Sequence, residues 1–270
     1  MSKATDINYD GEKIRIRPSA VDTFYNCPYQ WAKVFLEGQR TIPGARAAIG
    51  TAIHKGVEEM WLEAQLKQSK SDVNVTMATD AAIEEFQNID VDLQYDAGEN
   101  TQTAEATVRE GITAFIDDIV PFTDIPVAVE QFIEIELDHP VVSGMGGTID
   151  YITHDTIADV KTSKRKPVPA SHTTQQTVYK ILAESTGLNI KHNLIQGVAL
   201  TKNPMGHILE LEPKVDRTKF LINSMLDTLE AFNNGVDPKL LFRGNPKYYL
   251  CSPKYCQLYN CGCPYINGDA

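Results

Sequence analysis

A mixed α/β core carrying a helical insertion is the fold this sequence predicts, on three observations. Apolar residues recur at helical spacing early in the chain, across residues 70–120 and near the end. From 127 to 212 the pattern is mostly strand-like alternation, interrupted by one helical stretch. Hydrophobic residues make up 42% of 270 residues, enough for a substantial core in one large domain or a core plus a smaller one.

The elements follow in order. Residues 19–37 read as a helix, with Ser19 as cap and Val21, Phe24, Tyr25, Trp31 and Phe35 as its apolar stripe. A Gly/Pro/Arg loop spans 38–47, and a second helix runs from near Gly50 to about Lys67. The stretch 70–120 is an acidic, mostly helical insert, with helical spacing over 78–86 and 104–119, closed by Pro121 and Pro126. Strands are expected over 127–137, 141–152 and 156–162, with a hairpin turn at His154-Asp155. A helix over 171–185 ends at Gly187. Strands over 192–201 and 207–212 flank Asn203-Pro204-Met205-Gly206, and a helix over 216–233 leads into a Pro- and Cys-rich tail. Helices, strands, helix, strands, helix is the order of a mixed α/β core.

The net charge is −11, from 36 acidic and 25 basic residues. Such a balance argues against a general nucleic-acid coat, which needs excess Lys and Arg. It leaves room for an enzyme with a locally basic cleft, because local field and net charge are separate. No run of about 18 apolar residues exists, so no membrane partner is expected. The opening Met1-Ser2-Lys3-Ala4-Thr5-Asp6 lacks a signal pattern, and the expected location is cytoplasmic.

Asp159-Val160-Lys161 places a carboxylate and an ammonium on one face of a strand. Asp150, in Gly147-Thr148-Ile149-Asp150, precedes the hairpin and falls beside Asp159. Two carboxylates offer hard oxygen ligands to Mg²⁺ or Mn²⁺. A lysine beside them can orient water or stabilise charge on a phosphoryl group. An isolated Asp-x-Lys is also how a cross-strand salt bridge on a solvated face reads. Upstream, His54 and Glu58 share one helix face at i and i+4, a workable imidazole–carboxylate pair or an ordinary surface pair. Gln175 and Tyr179 repeat that spacing, and Lys164, Arg165 and Lys166 form a basic loop suited to phosphate. The stretch 44–51 lacks the Gly-Lys-Ser/Thr ending of a nucleotide-binding loop.

Taken together and in this order, Gly50-Thr51-x-x-His54-x-x-x-Glu58, Gly147-x-x-Asp150, Asp159-x-Lys161-Thr162 and Gln175-x-x-x-Tyr179 resemble the RecB-like branch of the PD-(D/E)XK nuclease superfamily. The resemblance covers roughly 19–63 and 129–265. It implies a restriction-endonuclease-like mixed β-sheet flanked by helices, as a single nuclease domain over 1–270 with an insertion at about 64–128. It implies that His54, Asp150, Asp159 and the Val160 carbonyl ligate Mg²⁺ or Mn²⁺. Lys161 would act on the attacking water, Glu58 would assist, Gln175 and Tyr179 would support the site, and Lys164, Arg165 and Lys166 would contact DNA. The implied activity is deoxyribonuclease, more an exonuclease of recombination, repair or replication than a site-specific cutter, acting on single strands or duplex ends. The implied partners are a recombinase, helicase or single-strand-binding protein, and the small stand-alone size fits a phage origin. The alternative is a nuclease-like module that binds DNA or protein without cutting.

Five cysteines are present: Cys27, Cys251, Cys256, Cys261 and Cys263, four of them within thirteen residues. Such clustering in an intracellular chain favours metal over disulfide. One early and three late cysteines resemble the iron–sulfur subset of these nucleases, which includes AddB-type, CRISPR-associated and phage enzymes. The resemblance implies a [4Fe–4S] cluster on Cys27, Cys251, Cys256 and Cys263, with Cys261 as alternate. It would staple the tail, 248–265, onto the N-terminal helix. Four thiolates suit that cluster and equally suit zinc.

Overall fold

The computed structural model describes residues 7–39, 44–89, 93–260 and 263–266. The elements in chain order are β1 (Ile14–Ile16), α1 (Pro18–Asn26), α2 (Pro28–Phe35), α3 (Ala45–Lys67), α4 (Val75–Gln87), α5 (Thr101–Asp118), β2 (Ala128–Glu136), β3 (Val142–Ile152), β4 (Thr156–Ser163), α6 (Thr173–Ser185), β5 (His192–Ala199), β6 (Met205–Glu210), α7 (Val215–Asn233), α8 (Pro238–Leu241) and α9 (Gln257–Asn260). The hydrogen-bonded strand order is β1-β3-β4-β5-β6, with β2 also on β3, so the fold is a mixed α/β one with a six-stranded sheet. β1–β3 and β4–β5 are parallel; β3–β4 and β5–β6 are antiparallel. A parallel neighbour needs a crossover, and α6 supplies it between β4 and β5.

Two compact units emerge. One comprises 1–41, 134–147 and 214–270; the other comprises 42–133 and 148–213. The second holds the largest apolar cluster. In it Ile49, Ile53, Val57, Met60 and Trp61 of α3 meet Ala82 and Phe86 of α4, Ile112 and Phe115 of α5, and Tyr151, Ala158 and Val160 of the strands. The helices of the predicted insertion therefore share a core with β3 and β4. Gly56 sets how closely α3 approaches them: a Cβ there would lie 2.6 Å from the Ala78 carbonyl and 2.9 Å from the Ala82 Cβ. Replacing Gly56 by Val is expected to cost about 1–3 kcal/mol by overpacking, or more, since backbone lies in the way. Chemical denaturation of purified variant and parent checks this.

Several expectations from the sequence need correction. The helix over 19–37 is two helices, α1 and α2, broken at Cys27, whose φ of −155° and ψ of 90° are extended. Pro28 causes the break, because its ring disfavours helical geometry in the residue before it. Ser19 is inside α1 rather than its cap: Arg17 is the N-cap and Pro18 takes the first helical position. α3 starts at Ala45 rather than near Gly50, so the expected loop is shorter and Gly44 is the N-cap. The final strand begins at Met205, since Met205 and Gly206 pair with Ala199 and Val198 instead of turning.

In the other unit β1 pairs with the first part of β3 and α1 lies near α7; the Tyr25 hydroxyl donates to the Leu221 carbonyl at 2.6 Å. Phe24 and Trp31 meet edge to face, and Trp31 stacks on Phe35. The tail closes over Cys27 and Tyr29: Tyr265 is buried with them, and the Tyr29 and Tyr265 rings stand 5.2 Å apart.

Candidate active site

The antiparallel register of β3 and β4 sets Tyr151 opposite Ala158 and Ile152 opposite Ile157. Extended by one pair, it sets Asp150 opposite Asp159. α3 crosses beside β4 and delivers His54 to the same place. Its ring Nδ1 is 3.5 Å from Asp150 Oδ2. Asp150 Oδ2 also accepts from the Val160 N–H at 2.5 Å. The Lys161 ammonium is 2.6 Å from Asp159 Oδ2, and Gln175 Nε2 donates to Asp159 Oδ1 at 3.3 Å. Tyr179, one turn further along α6, is buried and hydrogen-bonded to Gln175. Glu58 is on the same face of α3 as His54 but is held by Lys55 at 3.0 Å. Of the basic loop, Lys164, Arg165 and Lys166 are all exposed, and Lys164 is paired with Asp96 at 2.8 Å.

His54, Glu58, Asp150 and Lys161 line a cleft of about 730 Å³ together with Gly50 and Thr51, while Asp159, to which Lys161 is paired, is itself buried. Protein packs closely around both aspartates, and the loss of water shows in their acidity. Burial raises the Asp150 carboxyl to about 6, with Lys161 and the Val160 N–H pulling it back. Burial also raises Asp159, against the pull of Lys161. Burial, and after it the Lys161 ammonium, lowers His54 to about 4, while Asp159 and a backbone bond with Val160 favour its charged form. At neutral pH the ring is therefore neutral and able to ligate.

Several wall residues are not among those the sequence singles out, the charged ones being Arg46, Lys55, Glu85 and Glu130. Glu130 of β2 lines the cleft, and its pKa is raised to about 7 by burial and by Asp150 and Glu58. It is solvent-accessible, so water screens part of that repulsion. Its φ is +49°, the left-handed region. The backbone explains why. The Val127 N–H bonds to the Ile152 carbonyl and the Leu137 N–H bonds to the Ser143 carbonyl. Ten steps on one strand thus face nine on the other, the mark of a β-bulge, which re-aims a side chain. In sequence Glu130 looks like its neighbours Glu134 and Glu136, and only the bulge separates them. Arg46 lies in the first turn of α3.

The donor set fits a divalent cation. It offers a neutral imidazole, two carboxylates with raised pKa values, and Asp159 Oδ2, which is buried and has no hydrogen-bond partner beyond its ionic contact with Lys161. Among the described residues, though, no three His, Cys, Asp or Glu side chains already stand at metal-ligating spacing. That holds for the cysteines too. Cys27, Cys251, Cys256 and Cys263 line one small cavity with Tyr29, Tyr248 and Tyr265. The Cys263 thiol is raised by burial and by the three other cysteines around it. No disulfide joins these four. Cys261 lies outside the described residues. Four convergent sulfurs are a chemically sound donor set for iron–sulfur or zinc. Among the described residues no helix is long and apolar enough to cross a membrane.

No curated protein matches the chain in sequence. In fold it is similar to the crystal structure of a proposed exonuclease from Eubacterium rectale, with a TM-score of 0.55 at 13% identity, over 92% of this chain and 87% of that one. The family model of the PD-(D/E)XK nuclease superfamily matches residues 15–261, which takes in every motif residue of the cleft. The chain belongs to the PD-(D/E)XK nuclease superfamily.

Proposed function

We propose that this nuclease is an Mg²⁺- or Mn²⁺-dependent deoxyribonuclease, working as an exonuclease in recombination, repair or replication. The observation that carries the reading is that His54, Asp150 and Lys161, from α3, β3 and β4, line one cleft, with His54 beside Asp150 and Lys161 paired to the buried Asp159. His54, Asp150, Asp159 and the Val160 carbonyl are the residues that would hold the cation. When bound, it supplies Lewis acidity at the phosphoryl oxygen and a water that loses its proton more readily. The protein does the rest. The Val160 N–H holds Asp150 ionised and aimed. Gln175, itself held by Tyr179, fixes the second carboxylate. Lys161 orients the attacking water and meets the charge that grows on the phosphorus oxygens. Glu58 and Glu130 line the same cleft and would assist the cation through water. Lys164, Arg165 and Lys166, all exposed, would contact the DNA backbone.

Cleavage of labelled single-stranded and duplex DNA by pure protein with Mn²⁺ tests the reading. Progressive shortening from an end is expected. Binding without any cutting would instead favour a nuclease-like module without catalysis.

Cation binding also predicts a pH dependence. The folded Asp150 value of about 6 lies above its ordinary 3.8, so its charge opposes folding above pH 6 and that penalty fades as pH falls toward 3.8. His54 runs the other way. Its folded value of about 4 is below 6.5, so its contribution is full above 6.5 and is lost as pH falls toward 4. A cation relieves the carboxylates and cannot bind them protonated. Mn²⁺ should raise the melting temperature at pH 8 and lose that effect well below pH 6. Equal stabilisation at both pH values would contradict it.

For the cysteine cavity we propose a [4Fe–4S] cluster on Cys27, Cys251, Cys256 and Cys263, with zinc as the alternative occupant. Its support is the shared cavity and the thiol chemistry. Iron analysis and an absorbance scan near 400 nm separate iron from zinc.

A further inference from the structure

Two cations, Arg46 in the cleft wall and Lys164 just after β4, are already occupied by carboxylates of this same chain, and both carboxylates come from one turn. Arg46 Nη2 is bonded to Glu99 Oε1, and Lys164 Nζ is 2.8 Å from Asp96 Oδ2. Asp96 and Glu99 close the turn on each other: the Glu99 N–H bonds to the Asp96 carbonyl at 2.9 Å, and the Asp96 N–H donates to Glu99 Oε2 at 3.3 Å. The turn is tied to the start of α3, where the Ala45 N–H bonds to the Gln94 carbonyl at 2.9 Å. Arg46 lines the cleft two helical turns before His54, and Lys164 follows Lys161 by three residues. Arg46 is also incompletely used, since its Nε is buried without a hydrogen-bond partner.

A carboxylate and a phosphodiester offer a guanidinium or ammonium the same pair of anionic oxygens. A chain of net charge −11 has few cations to spare for a polyanion, so those nearest the scissile position matter most. We propose that Arg46 and Lys164 form a backbone-phosphate site, and that the Asp96–Glu99 turn occupies it as an internal phosphate mimic that DNA must displace. The inference rests on the reading of the cleft as a DNA-cleaving site and adds the residues that grip the strand. The exchange is feasible because both ion pairs are partly solvent-exposed and so individually weak, whereas phosphate contacts also release counterions from the DNA. The turn then acts as a gate of modest height: it holds the two cations in place, and it disfavours weak or non-specific ligands.

The test is DNA binding in chelator, so that cutting is off, measured by anisotropy across a salt series on labelled single-stranded DNA. D96N/E99Q should bind about fivefold tighter or more. R46Q/K164Q should bind more weakly, with a salt slope flatter by about 1.4, from two lost contacts at about 0.7 each. In the quadruple variant the gain from D96N/E99Q should vanish, because its beneficiaries are gone. D80N/E84Q, on the exposed side of α4, removes the same number of charges elsewhere and should gain less. The inference is overturned if D96N/E99Q gains no more than D80N/E84Q, or if its gain survives in the quadruple variant. Single variants D96N and E99Q carry the same comparison should the double variant fold poorly. If the parent protein cuts DNA with Mn²⁺ yet these effects are absent, only the inference falls. If the parent neither binds nor cuts DNA, the reading of the cleft falls with it.

Discussion

Lys161→Ala is expected to lower the cleavage rate by about 10²–10³-fold while leaving the fold in place, the scale for removing one preorganised charge-stabilising group. Its ammonium touches Asp159, favours the ionised forms of Asp150 and Asp159, and disfavours protonated His54. Removing it therefore has a second signature. Both carboxylates become harder to ionise, so cation binding should move to higher pH. A lysine that only braced the sheet would give a loss of stability without that displacement. Lys161→Arg keeps the charge and is the sharper control. If Lys161 orients a water as a compact ammonium, the planar guanidinium restores little activity. Full recovery in Lys161→Arg would mean that charge alone was needed. Kinetics of both variants across pH, with melting curves alongside, separate these outcomes.

Cys256→Ser has the second large expected effect, on stability rather than rate. Cys256 is buried, in the cavity it shares with Cys27, Cys251 and Cys263, and Tyr29 and Tyr265 pack beside them. As a thiol packed in a core, its loss should cost about 0.5–3 kcal/mol, the range for most single substitutions. As a ligand of a structural metal its loss is larger, because the free energy of binding such a metal, on the order of 10 kcal/mol, goes into folding. Magnitude therefore decides between the two. The cluster reading expects the unit formed by 1–41, 134–147 and 214–270 to melt early and the absorbance near 400 nm to disappear. Retained colour with parental stability would remove Cys256 from the ligand set.

Much of the cleft was legible because its key residues sit on regular elements with fixed periods. The two-residue repeat put Asp159 and Lys161 on one face, and a short turn at His154-Asp155 is enough to carry Asp150 back alongside. The i, i+4 rule did the same for Gln175 and Tyr179 on α6. What the pattern could not supply came from irregular backbone and from tertiary neighbours. Glu130 is brought to the cleft wall by an extra residue in β2 that no alternation reveals. Arg46 lay in a stretch read as loop, because Gly44 resembles a loop residue when it is in fact a helix cap. The partners of Arg46 and Lys164 lie some 50 and 70 positions away along the chain, in a segment whose own composition says only that it is acidic and helical. The break at Cys27 was legible in principle, from Pro28 alone, and it places that cysteine at a corner rather than along a helix face.

The measurement that bears most directly on the account is a crystal structure of the protein soaked in Mn²⁺, with anomalous data to locate the ion. The account predicts one strong peak touching His54, Asp150, Asp159 and the Val160 carbonyl, with Lys161 alongside. A cleft without a peak, or an ion held elsewhere while the imidazole and the two carboxylates stay apart, would contradict it.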